Sequence, residues 1–171
     1  MNRGPLGELV RLATRLVPTL TAIFFVLLGA VPLGLPGFAT VGPLFSLCAI
    51  FFWTVASPTL LPPLMVFFVG LIEGSLSGGP IGLWAVIFLL VQFVTMSQRQ
   101  VLVGIRFLLS WASFIPVCYL AGLAAWGGAS FYYGHMLPMK PIMVQSTLTL
   151  LAYPAVAWLL ILCARKIVSS G

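Results

Sequence analysis

The stretch Val66-Phe-Phe-Val-Gly70-Leu-Ile-Glu73-Gly74-Ser-Leu-Ser77-Gly78-Gly79-Pro80-Ile-Gly82-Leu-Trp84 decides how this chain is read. It is apolar at its start and rich in glycine, and it holds one acid, Glu73, in the middle of the apolar body of the protein. A charged side chain in hydrocarbon costs at least ~2.5–3.5 kcal/mol, so it turns toward other helices or a cavity. Gly70, Gly74 and Gly78 repeat every four residues, a spacing that lets two helix backbones approach closely. On a helix Gly70, Gly74 and Ser77 flank Glu73 on one thin face, suited to burial against protein. The run Ser77 to Gly82, with Pro80 inside it, reads as the turn that ends this helix.

Working outward, the whole chain of 171 residues is 61% hydrophobic and 6% charged. A soluble domain carries about 25% charged residues, so this composition predicts an all-α integral membrane protein. There is no aspartate, one histidine and three cysteines, and Cys48, Cys118 and Cys163 lie far apart in apolar runs with no metal-ligand spacing. Those cysteines read as packing residues, and His135 as solvent-facing. No cofactor or metal is implied, and autonomous catalysis is not expected from so few acids and bases. The net charge of +6 does not point to nucleic acid, because the basic residues lie at the ends of apolar runs.

Windows of about 20 apolar residues predict six transmembrane helices. They fall at about 18–35, 39–56, 62–77, 81–97, 101–125 and 142–163, with Pro43 in the first turns of the second and kinks expected at Pro116 and Pro154. Residues 1–17 read as an N-terminal amphipathic segment, Leu6, Leu9, Val10, Ala13, Leu16 and Val17 opposite Glu8, Arg11 and Arg15. Pro18 is then expected in a turn into the bilayer, and no cleavable signal peptide is expected. The membrane domain spans 18–164 and a short tail 165–171. Pro32 to Gly37, Ser97-Gln-Arg-Gln100 and Trp126 to Pro141 read as loops, the last an aromatic one lying at headgroup level.

Six spans place Arg3, Arg11, Arg15, Arg99, Arg165 and Lys166 at one membrane surface and only Lys140 at the other. The positive-inside rule makes that surface, and both termini, cytoplasmic. Three readings of Glu73 follow: a polar anchor between helices, an ion pair with Arg106, or an ion relay. Glu73 stands ~16 Å along the third span and Arg106 ~9 Å along the fifth, within reach of a long arginine. A relay normally uses several acids or histidines on different spans.

Pro43-Leu44, Trp53, Pro58, Phe67 and the run Gly70-Leu-Ile-Glu-Gly-Ser-Leu-Ser-Gly-Gly-Pro-Ile-Gly82 resemble the rod shape-determining protein MreD family. That family shows a tryptophan-then-proline end to one span, a phenylalanine-glycine-leucine run to an acid, a leucine-serine-glycine turn and a proline-x-glycine. Its acid is usually aspartate; here it is Glu73, one methylene longer. Gly70, Glu73, Gly74, Gly78, Pro80 and Gly82 match motif positions. The resemblance implies a non-catalytic scaffold in the bacterial inner membrane that binds the bitopic protein MreC and supports cell shape and lateral peptidoglycan synthesis. It further implies association with the actin-like protein MreB, the glycan polymerase RodA and a class B penicillin-binding transpeptidase. The implied fold is similar to the substrate-binding S-components of vitamin transporters. A solute-binding transporter subunit of that type is the alternative, with Gln92, Gln145, Ser146 and Thr147 as its candidate polar contacts.

Overall fold

The second apolar stretch forms the centre of the molecule. Phe45-Ser-Leu-Cys-Ala-Ile-Phe-Phe-Trp-Thr-Val-Ala56 is apolar around its whole circumference, and a helix of that kind has no preferred polar side. The computed structural model describes residues 5–31, 42–102 and 107–168, and among these the chain is helical with no strand. The helices are α1 (Pro5–Gly29), α2 (Phe45–Ala56), α3 (Pro63–Ser77), α4 (Leu83–Leu102), α5 (Phe107–Tyr133) and α6 (Lys140–Val168), with a 3-10 turn at Pro58–Leu60. Helices α1, α4 and α6 pack on α2, α3 pairs most extensively with α4, and α5 lies between α4 and α6. Eight of the twelve residues of α2 are buried, including Leu47, Ile50, Phe51 and Trp53.

An aromatic triad fixes α2 against α5 and α6. Phe114 stacks on Tyr153 with ring centroids 4.5 Å apart, and Phe51 lies 5.0 Å from Phe114 and 5.8 Å from Tyr153. Offset and edge-to-face pairs of this kind add about 0.5–1.5 kcal/mol each beyond area burial.

The outer faces carry many large apolar side chains. Leu20 and Phe24 on α1, Leu64 and Phe68 on α3, Leu90 and Phe93 on α4, Leu120 on α5 and Leu151 and Trp158 on α6 are all exposed. Among the described residues two helices, Ser110–Tyr133 and Lys140–Ala164, are long and apolar enough to cross a membrane. The shorter apolar helices are Leu16–Gly29, Phe45–Ala56, Pro63–Ser77 and Leu83–Arg99.

Several boundaries differ from the sequence expectation. Helix α1 runs through Pro18 without a turn, so the amphipathic segment and the first apolar run are one helix. The Thr21 hydroxyl lies 2.8 Å from the Val17 carbonyl and 2.9 Å from that of Pro18, occupying carbonyls in the turn around the proline. Pro43 stands before α2, not in its first turns. The polar run Ser97 to Gln100 continues α4, consistent with the good helix propensity of glutamine and arginine. The aromatic run Trp126 to Tyr133 continues α5, which shortens the expected loop to Gly134–Met139. There Gly128 lets α5 close on α4, since a methyl group at that position would strike the Leu83 side chain. Helix α6 continues through Arg165 and Lys166 to Val168, so the expected tail is partly helical. Pro116 and Pro154 sit inside α5 and α6, which continue on both sides of them. Pro32 to Gly37, expected as a turn, lies outside the described residues with the rest of 32–41.

Candidate functional site

Both ends of α2 are held by side chains from other helices. A helix leaves its first four N–H and last four C=O groups without internal partners, and in a dry environment each unpaired group is costly. At the start of α2 the Leu44 N–H donates to Thr149 Oγ1 at 2.9 Å, and Thr149 Oγ1 donates to the Gln145 carbonyl at 2.7 Å. Gln145 Nε2 donates to the Gly42 carbonyl at 3.2 Å. Ser46 Oγ donates to Glu73 Oε2 at 2.7 Å, bringing the carboxylate of α3 to the first turn of α2.

At the other end Arg99 Nε donates to the Val55 carbonyl at 3.2 Å. Just beyond, Gln92 Nε2 donates to the Leu61 carbonyl at 2.8 Å, serving non-helical backbone after the 3-10 turn. In the last turn of α2, Trp53 Nε1 donates to Thr21 Oγ1 of α1 at 3.0 Å. A carboxylate thus stands at the N-terminus of α2 and a guanidinium at its C-terminus, the two signs the helix dipole favours there.

Glu73 is half-buried, and its bond to Ser46 makes it an anchor between α3 and α2. Arg106, its expected ion-pair partner, lies outside the described residues, as does Arg3. Ser77 is exposed, and its hydroxyl donates to the Glu73 backbone carbonyl at 2.6 Å.

The glycines of the motif divide into two physical roles. Gly70 is the close-approach position: a methyl there would run into the backbone of Ala85 and Trp84, the latter's carbonyl carbon at 2.9 Å. Gly74 is buried but roomier, with Gly82 N and Pro80 O at 3.8 Å from where a methyl would sit. Gly78 does not set the packing distance, contrary to the four-residue pattern. It caps α3 in the left-handed region at φ 67°, with nothing near it, and Gly82 has φ 91°. The L residues disfavour that region, and glycine does not. Pro80 accepts from the Leu83 N–H at 3.2 Å, closing the turn into α4.

Three of the four candidate solute contacts are engaged within the bundle, and the fourth, Thr147, is exposed. Gln92 and Gln145 are bound to backbone carbonyls as above, Ser146 is buried against Gly122, and the Thr147 hydroxyl donates to Met143 O at 2.8 Å. Cys48 and Cys118 are buried and donate to backbone carbonyls, whereas Cys163 is exposed rather than packed inside. His135 is exposed and stacks on Tyr133. No group of three metal-ligating side chains occurs among the described residues.

Arg11 and Arg15 in α1, Arg99 near the end of α4, and Arg165 and Lys166 in α6 share one end of the bundle by helix direction. Helix α1 finishes beside Pro43 at the start of α2, where Gln145 and Thr149 of α6 also lie. The start of α1 and the finish of α6 therefore lie at the Arg99 end, and Lys140 at the opposite one.

Sequence reasoning passed over Ser46, Thr149 and Thr21. Their only signal was a small hydroxyl within an apolar run, which reads equally as a packing residue. No family model matches the chain, and no curated protein or solved structure matches it.

Proposed function

We propose that the chain is a non-catalytic six-span scaffold of the MreD type in the bacterial inner membrane. The observation that carries this reading is the arrangement of polarity. Gln92, Gln145, Thr149, Arg99 and Glu73 turn inward onto the ends of α2 and the non-helical backbone beside them, while the peripheral helices present leucine, phenylalanine and valine outward. That pattern suits a solvent of lipid, in which backbone groups must be satisfied internally and outer faces are apolar. The direction of the helices supports both termini on one surface, cytoplasmic by its arginines and lysine. The motif Gly70 to Gly82 supports the family, through the resemblance described above.

In this reading the protein works by assembly. The outer apolar face receives the membrane helix of an MreC-like protein. The complex then supports MreB, a RodA-like polymerase and a class B penicillin-binding transpeptidase in lateral wall synthesis and cell-shape maintenance. A solute-binding transporter subunit is the weaker alternative, because Gln92 and Gln145 already serve backbone, Ser146 lies packed between helices and Thr147 is exposed on the outside.

Affinity purification of the full chain from its native membrane, with mass spectrometry of what accompanies it, tests the reading. Recovery of an MreC-like protein is expected. Recovery of a transporter coupling module and ATPases, without wall-synthesis proteins, would overturn it.

A further inference from the structure

Along the outer side of α4, an open notch of about 390 Å³ runs beside the start of α3, lined by Pro63, Val86, Leu89, Leu90, Phe93 and Met96 with Gln92 among them. Its volume is that of a small-molecule pocket. Its walls are apolar, and Leu90 and Phe93 are largely uncovered. From Val86 to Met96 is ten residues, ~15 Å along the helix, which is the depth of one leaflet of a ~30 Å hydrocarbon core.

One turn beyond Met96 stands Arg99. It lies seven residues after Gln92 and so on nearly the same angular position of α4. Its Nε is fixed on the Val55 carbonyl. A guanidinium has five N–H donors, and the other four have no protein partner among the described residues. The notch is therefore an apolar channel one leaflet deep, with a positioned cation one turn beyond it that has no ion-pair partner among the described residues.

We propose that this notch is a binding site for an anionic phospholipid, its acyl chain along Leu90, Phe93 and Met96 and its phosphate on the Arg99 fork. The inference rests on the membrane-spanning reading of the bundle, but not on any role in wall synthesis. Charge complementarity selects the lipid over a partner helix: an apolar groove ending in a fixed cation matches a molecule with an acyl tail and an anionic head.

Native mass spectrometry of the detergent-purified full chain tests this, with phosphatidylglycerol or phosphatidylcholine of identical chains added. Phosphatidylglycerol is expected to be retained preferentially, and glycerol phosphate without chains not to compete with it. Arg99→Gln should weaken phosphatidylglycerol binding about fivefold and leave phosphatidylcholine unchanged, since one basic residue contributes about that factor at a membrane surface. Arg99→Lys should keep most of the preference. Met96→Trp, which fills the notch from an exposed position, should weaken both lipids. Equal retention of the two lipids by the native chain, or an unaltered preference in Arg99→Gln, would overturn the proposal. So would wild-type retention in Met96→Trp, or a partner helix cross-linking at Met96 in place of lipid. A chain that does not fractionate with membranes would instead defeat the membrane reading itself.

Discussion

Helices α2 and α3 divide what the sequence advertises from what the fold depends on. Helix α3 carries the conspicuous chemistry, a glutamate among glycines, yet it is a peripheral helix with Leu64, Phe68 and Ser75 exposed. Helix α2 carries no charge and no glycine, yet it is the element on which α1, α4 and α6 converge. The difference teaches that Glu73 matters for where it reaches. Its carboxylate serves the first turn of α2, and Arg99 serves the last. In the proposed membrane reading α2, at ~18 Å for twelve residues, is shorter than the hydrocarbon layer. Its ends, with the non-helical backbone beside them, need partners from the surrounding helices. Thr149, Gln145, Gln92 and Arg99 are those partners, and Glu73 holds the Ser46 side chain of the first turn.

The largest expected effect breaks the contact between α3 and α4. Gly70→Leu sets a side chain against the backbone of Ala85 and Trp84, and should destabilise by about 3 kcal/mol or more in a reversible unfolding assay in detergent. Gly74→Ala, one turn along the same face, should stay within about 1 kcal/mol of the native chain. If the two changes cost the same, the glycines act as an even stripe and the division between them is wrong.

Next come the clamps on α2. Thr149→Val leaves the buried Leu44 N–H without an acceptor and should cost about 1–3 kcal/mol in the same assay. Ser46→Ala and Glu73→Gln should be coupled, since they share one charge-assisted bond. A double-mutant cycle should return an interaction of about 1 kcal/mol or more. A parallel cycle of Glu73→Gln with Arg106→Gln separates the anchor from the ion pair. Coupling to Arg106 with strict additivity for Ser46 would transfer the role of Glu73 to the arginine.

The smallest effect is expected at the turn. Gly78→Ala places a methyl on a left-handed backbone with open space around it, and should cost about 1 kcal/mol through backbone conformation alone. A much larger loss would mean that Gly78 packs against something.

Much of the architecture is legible in the sequence because long apolar runs and proline-glycine turns are local signals. The bounds of α3 and its glycine exit follow from Pro62-Pro63 and Gly78 directly. The central position of α2 is not legible, because a helix apolar all round reads the same whether lipid or protein surrounds it. Gly70 and Gly74 are alike in sequence, and only the approach of Ala85 and Trp84 separates them. The helical run Trp126 to Tyr133 is obscured by its paired glycines, of which Gly128 makes room for Leu83 of another helix while Gly127 faces open space. Arg99 reads as a surface charge until Val55 is placed beside it.

Segment-resolved amide hydrogen exchange of the purified chain, compared with Ser46→Ala and Thr149→Val, addresses the claim that α2 is the clamped centre most directly. The account predicts that residues 45–56 exchange slowest in the native chain and that both variants speed exchange first at the start of α2. Equal protection of α2 and α3, with no local change in either variant, would contradict it.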